Sequence, residues 1–566
     1  MDRRSAIITG LGIMASASLA RRGGAAAWMR RDAAPPSIPG DPVLRLASLG
    51  PSEQVGGLPT APTWFGDSFP SNALPFHTCE NCDGPGAAPS EHVDVAIIGG
   101  GLSGLATAHA LRHRNVVLMD LRPRVGGNAM GESWRSLRWS MASAYFMAPD
   151  RGSDLDTLYR DLGIDHHVRV DDTPTTFAWK EMITRELLGT NPSAAEREGL
   201  ARYQAAVAFH AGRGYPDIPF TGAPGPNVAA LDDMTFRAHI ESVCGTVPPR
   251  LSYALQAYCA SSFGVGTDEV NAAAGWNFVA AEEFGRWVLP GGNSALARAL
   301  WKQSARTPHS GEHHHETQPV GVDFRPQCTV TDIERAKDGA IIRWRDGAGT
   351  VRRLHARHVV CAGSKHIVKY MIPWLAEDDK EKLQAMQQVQ SVPYLVANVI
   401  LSRPVPANFY DLFVAGGSTF PMDSTEFEAT PVITDMVNGS YAGADGQVGS
   451  VLTMYWPLPW HTARFAIVDP ASWRTWAARG SEQIAALLPL LGRSTDDVLQ
   501  VRWTRWGHAM PVATPGWYAS GAPELLRRPL NGCVWFANQD NWLLPAVETC
   551  LLEGRSVAAQ INAALG

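Results

Sequence analysis

Gly99-Gly100-Gly101-Leu102-Ser103-Gly104 holds the spacing GxGxxG. In such a run the first glycine permits a tight turn and the second lets backbone approach a pyrophosphate. The third allows close helix–strand packing. Leu102 and Ser103 belong to this run and are assigned to the cofactor with it, and the helix that follows offers free N–H groups and a partial positive charge to phosphate. Asp120 stands 21 positions after Gly99, where a carboxylate accepts hydrogen bonds from ribose hydroxyls. The same acid repels a 2′-phosphate, so NADP is disfavoured.

The elements around the motif fit that chemistry. Val93–Ile98 reads as an apolar strand, Leu105–Leu111 as a helix, and Val116–Met119 as a second strand ending at Asp120. Strand, glycines, helix, strand and acid in this order specify a dinucleotide site far better than the glycines alone.

A second glycine pair follows in Arg122-Pro-Arg124-Val-Gly126-Gly127-Asn128. It resembles the motif of FAD enzymes of the amine oxidase superfamily, where it continues the flavin contact. That resemblance assigns Arg124, Gly126, Gly127 and Asn128 to the cofactor. Val534–Asp540, with Asn538, and Pro545–Ala559 resemble the closing flavin motif of the same superfamily. There Asp540 matches an acid near the pyrophosphate and ribityl chain. Ala546 and Val547 match the start of a helix aimed at the isoalloxazine. Pro290-Gly291-Gly292-Asn293 resembles a further turn of the group. Thr329-Val330-Thr331 and His358–Gly363 resemble returning strands of the nucleotide domain.

Within that superfamily the chain is most similar to spermidine-dehydrogenase-like flavoproteins. Gly126–Met130, Phe263–Asp268, Val392–Val399 and Arg505–His508 carry the likeness, which runs thinly from about 90 to 566. It implies oxidation of an amine or polyamine C–N bond by hydride transfer to FAD. Members are linked with haem as well. No CxxCH occurs here, so any haem would be held non-covalently. Many amine oxidases carry a lysine on the strand matching Leu395–Leu401, which has none. This favours a dehydrogenase over an oxidase, with a quinone and a cytochrome both open as electron acceptor.

Three residues are candidates for the chemistry. His508 is a proton carrier or a structural histidine beside the flavin. Trp506 is an aromatic wall for a cationic substrate. Glu548, one turn into the last helix, either meets a second ammonium or complements the helix N-terminus. Trp503, Trp517, Trp535, Trp542, Tyr455 and Trp456 are further aromatic candidates, each weighed against plain core packing. Two rival functions stay open. One is a flavin desaturase for a hydrophobic substrate, the other a non-catalytic flavin-fold protein. An acid- and aromatic-lined pocket separates amines from greasy substrates, which need continuous aliphatics.

The expected fold is α/β: a Rossmann-like FAD domain with an inserted α+β substrate domain. Residues 1–30 read as a twin-arginine export signal, with Arg3 and Arg4 before an apolar run, which implies a periplasmic or extracellular site. Residues 31–90 read as a Pro/Gly-rich arm. Residues 91–150, 286–380 and 500–566 are assigned to the FAD domain, and 151–285 and 381–499 to the substrate domain.

Of 566 residues, 45% are hydrophobic and 18% charged, which excludes global disorder. The net charge of −6 excludes the basic surface a nucleic-acid partner needs. No stretch beyond the signal is apolar enough to span a bilayer. Cys79 and Cys82 form a CxxC pair read as a local disulfide in an exported chain. The other six cysteines read as buried thiols. Consecutive His313, His314 and His315 read as a solvated loop, so no metal site is assigned.

Overall fold

The computed structural model describes residues 38–68, 88–89, 91–171, 175–306, 321–405, 409–415, 421–429, 432–443 and 447–566. The expected export signal, Cys79, Cys82 and the histidine run lie outside the described residues.

The first sheet has seven strands. At its centre β1 (His92–Ile98) pairs in parallel with β2 (Val116–Met119) and with β3 (Val351–Cys361). All four residues of Val116–Met119 are buried, and Val95–Ile98 are buried without a break. Continuous apolar runs of this kind belong to parallel strands covered on both faces. Helix α1 (Leu102–Leu111) crosses between β1 and β2. An antiparallel pair, Thr329–Ala336 with Gly339–Arg345, extends the sheet beyond β3.

The second sheet has ten strands. Its middle runs β5 (Asp411–Val414), β6 (Asp435–Asn438), β7 (Ser450–Pro457), β4 (Ser391–Leu401) and β8 (Val498–Pro511), in that spatial order. The neighbours are antiparallel, so residues directly opposite share a face. Phe413 faces Asp435, Asp435 faces Tyr455, and Tyr455 faces Val396. Tyr394, two positions from Val396, faces Trp506. These residues form one face of the sheet. The residues between them form the other face: Leu395, Met454, Trp456 and Trp503 pack with Trp476 and Ile484 of the helix Trp473–Leu487.

The chain returns to the first sheet through β9 (Val534–Phe536), parallel to β3, and ends in α2 (Val547–Leu565). Helices α1 and α2 touch closely. A Cβ on Gly554 would stand 2.4 Å from the Ser103 carbonyl oxygen.

Two expectations change. The Pro/Gly-rich arm carries strands: Val43–Leu46 pairs with Gly131–Trp134, and Leu58–Thr60 and Phe65–Gly66 pair with β8. The expected boundary at residue 500 falls inside β8, which belongs wholly to the second sheet. An unbroken strand across residue 500 leaves no composition change to mark the border. Among the described residues no helix is long and apolar enough to cross a membrane.

Candidate functional site

One continuous cavity of about 750 Å³ runs from the glycine turn of the first sheet to the mixed face of the second. Its first half is a cradle. Gly99 has φ +106°, and its carbonyl oxygen lies where a Cβ on Gly104 would come within 1.9 Å. Only glycine at 104 lets α1 start this close to β1. Gly101 is the residue before the helix, and no side chain caps it, so the first N–H groups face the cavity. A Cβ on Gly127 would meet Gly101 Cα at 2.9 Å, so the two glycine segments touch. The Asp120 carboxylate accepts from the backbone N–H of Gly100 and Arg122, both at 2.7 Å. Burial raises its pKa, opposed by Arg122.

Gly99, Gly101, Leu102, Ser103, Asp120, Gly126, Gly127 and Asn128 all line this half. Gly104 lies beneath it as packing. Val330, Asn538, Asp540, Ala546 and Val547 line the far side. Asn128 Nδ2 donates to the Ala509 carbonyl at 2.8 Å, joining the cradle to the end of β8. Asn538 Nδ2 donates to Ala362 O at 3.1 Å, and its Oδ1 accepts from the Asp540 N–H at 2.9 Å. Asp540 in turn accepts from the Lys365 N–H at 2.8 Å. Ala546, the residue before α2, has no side-chain cap. Arg124 does not line the cavity. Its guanidinium donates to Pro42 O and Gly131 O, 3.1 Å each, and so fixes the arm rather than a cofactor.

These features fit a dinucleotide such as FAD. The cradle has no room for a Cβ at its turn, two uncapped helix starts face it, and a buried acid stands at the strand end.

The second half is aromatic. Tyr145, Tyr215, Phe278, Tyr394, Phe413 and Tyr455 line it, with Asp435 among them. Tyr394 and Tyr455 meet edge-to-face at 6.1 Å and 76°. Tyr455 Oη donates to Ala142 O at 2.5 Å, and Asn293 Nδ2 donates to Ser143 Oγ at 2.7 Å and Tyr145 O at 2.8 Å. The first residue of the helix Asn293–Ser304 thus holds the 142–145 segment in place.

The three candidates for chemistry all line the cavity, in different states. Trp506 is 1% exposed, donates through Nε1 to Met141 O at 3.2 Å, and has the Arg122 guanidinium 5.4 Å from its ring centre. His508 stacks on His366 at 4.6 Å. Burial, with Arg464, His366 and Lys369 nearby, holds its pKa well below the usual histidine range. Its Nε2 is buried without a hydrogen-bond partner. Glu548 Oε1 accepts from the Met147 N–H at 2.7 Å, and burial raises its pKa. That engagement ties α2 to the lining segment.

Among the remaining aromatic candidates only Tyr455 reaches the cavity. Trp456 and Trp503 lie on the opposite face of the second sheet, because strand side chains alternate. Trp535 Nε1 meets His358 Nδ1 at 3.2 Å, and Trp542 donates to Glu553 at 2.9 Å. Trp517 is core. Asp435, Tyr394 and Tyr145 were not singled out by sequence. The available signal was a lone acid inside the apolar run Asp435-Met-Val437.

The glycine turn, the parallel sheet and the second sheet facing it define an α/β, Rossmann-like dinucleotide-binding fold of amine-oxidase-like architecture. Comparison with known proteins agrees. The family of NAD(P)-binding Rossmann-like domains matches residues 97–162. The oxidoreductase PigB of a Serratia species is 22% identical, over 88% of this chain and 79% of its own length. Cyclohexylamine oxidase from Brevibacterium oxydans superposes with a TM-score of 0.57 at 18% identity, covering 84% of this chain and 99% of the oxidase. Putrescine oxidase bound to putrescine gives 0.55 at 16% identity, covering 83% and 99%.

Proposed function

We propose that the protein is an FAD-dependent oxidoreductase that oxidises the C–N bond of an amine or polyamine. The observation that carries this reading is the lining of the chamber beyond the cradle: tyrosines and phenylalanines around a buried carboxylate, in place of the continuous aliphatic wall a greasy substrate needs. The oxidoreductase and the two amine oxidases it is similar to support the same class.

Bound FAD supplies the hydride acceptor. The chain does the rest. Aromatic faces attract a cationic amine and tolerate its free base. Tyr455 and Asn293 fix the segment that borders both halves, so the reacting C–H is held in one place. Trp506, on one wall, excludes water. His508 stays neutral in its surroundings, so it orients or accepts rather than carrying a fixed charge.

Among the described residues no lysine lines the cavity, which favours a dehydrogenase passing electrons to a quinone or cytochrome over an oxidase. Export is part of the reading and rests on Arg3-Arg4 and the apolar run after them.

The test is anaerobic. The purified protein is expected to show a flavin spectrum that putrescine, spermidine or a monoamine bleaches, with slow return in air. A Soret band would add haem. A flavin that no amine reduces would refute the amine assignment.

A further inference from the structure

Asp435 is 4% exposed yet lines the cavity. Its neighbour across the strands is Asp411. Phe413 faces Asp435 and Asp411 faces Val437, so both acids stand on one face of the sheet, on adjacent strands. Asp411 Oδ1 and Asp435 Oδ1 are buried without a hydrogen-bond partner, with the Met436 backbone N–H beside the Asp435 carboxyl. The second oxygens are engaged: Ser261 Oγ donates to Asp435 Oδ2 at 2.8 Å, and Arg286 Nη1 donates to Asp411 Oδ2 at 2.8 Å.

The surroundings are short of positive charge. Arg286 also pairs with Asp171 at 2.6 Å and lies 3.4 Å from Glu282. Glu282 accepts from Tyr258 Oη at 3.0 Å and Tyr145 Oη at 3.3 Å. Tyr441 Oη meets Asp171 at 3.3 Å. Tyr394, Tyr410 and Tyr455 complete the groups around the two acids. Arg286 is the guanidinium that Asp171, Glu282 and Asp411 have in common, while Asp435 has no ion pair with it. Burial raises the pKa of both Asp411 and Asp435. The two carboxyl groups are in side-chain hydrogen-bond contact, which one shared proton satisfies.

We propose that Asp435, backed by Asp411, is the cation seat of the cavity: it receives the positively charged nitrogen of the substrate and accepts its proton. This rests on the amine reading. In the step, binding of the cation first sends the shared proton to solvent; the substrate N–H bond then breaks, its proton forms an O–H bond with the freed Asp435 carboxylate, and the electron pair stays on nitrogen. That pair is what loss of hydride from the adjacent carbon requires, because an ammonium has none to give. Asp435 is the catalytic residue here. Asp411 is a positioning residue that sets how readily Asp435 gives and takes the proton.

The test uses the flavin-loaded full chain and benzyltrimethylammonium, which carries the charge but no N–H. Calorimetry in two buffers of different ionisation heat reads proton release on binding. The wild type is expected to bind the cation and release the shared proton, approaching one per site near neutral pH. Asp435→Asn should bind about tenfold more weakly or worse and release none. Asp411→Asn should bind but lose the release. Benzyl alcohol, the neutral comparator, should bind all three alike. Equal cation binding by wild type and Asp435→Asn, or no proton release by the wild type, would overturn the proposal. If Asp435→Asn does not fold, the wild-type release alone decides. The two readings separate. Amines that reduce the flavin of Asp435→Asn with unchanged KM and pH profile would remove the seat and leave amine oxidation standing. Cation binding through Asp435 without flavin reduction by any amine would do the reverse.

Discussion

His366 and His508 stack with ring centres 4.6 Å apart and planes 31° apart, one on the segment following β3 and the other on β8. The contact joins the two sheets at the cavity wall. Burial, then Lys369 and Arg464, push the His366 pKa down to about 4. A histidine held neutral in the fold contributes stability above its ordinary pKa of 6.5, and that stability is lost as pH falls toward 4. Urea unfolding at pH 7 and pH 4.5 should show a marked loss at the lower pH. His366→Gln should reduce that loss, and an unchanged slope would show that the pair does not govern it.

Gly104→Ala places a methyl 1.9 Å from the Gly99 carbonyl oxygen. Backbone cannot yield there as a flexible side chain can. The expected cost is about 2–3 kcal/mol, the upper range for overpacking. The flavin-to-protein ratio after purification should fall sharply. Full flavin content in the variant would mean that α1 shifts without harm.

Asp67, on the arm, accepts from the Gly507 N–H at 2.8 Å and pairs with Arg122, directly after the strand-end acid region. Asp67→Asn removes one of the two counter-charges, with Asp120 the other, of a guanidinium whose side chain is 23% exposed. We expect destabilisation of about 2 kcal/mol, less than for a fully buried pair. FAD should also dissociate faster, because Arg122 lines the cradle. Thermal melting with and without added FAD measures both.

Trp506 and Trp456 test the alternation of the second sheet. Trp506→Phe alters the cavity wall and should raise KM for any substrate or perturb the flavin spectrum. Trp456→Phe, on the far face, should cost about 1–2 kcal/mol of stability with KM unchanged. Equal effects on KM would contradict the assignment of faces.

The sequence by itself determined the nucleotide half of the site. Its parts are local. Gly99 to Gly104, Asp120, Gly126 and Gly127 lie within thirty residues, the glycines acting through their own backbone and Asp120 through a carboxylate at the strand end, so spacing alone locates them. The α/β class followed from the same run. The aromatic half was decided only by tertiary structure. Tyr394, Asp411, Asp435 and Tyr455 come from distant segments and meet because four antiparallel strands fall into one register, and Tyr145 joins them on a segment held by Asn293 and Tyr455. Periodicity places alternate residues on opposite faces but does not say which face is the cavity. Trp456 and Tyr455 are adjacent in the chain and equally aromatic, yet packing of the helix Trp473–Leu487 against one face put the first in the core and left the second to the site. Arg124 shows the same limit. Its motif position was legible, but the arm that takes its hydrogen bonds comes from residue 42, and only the fold brings the two together.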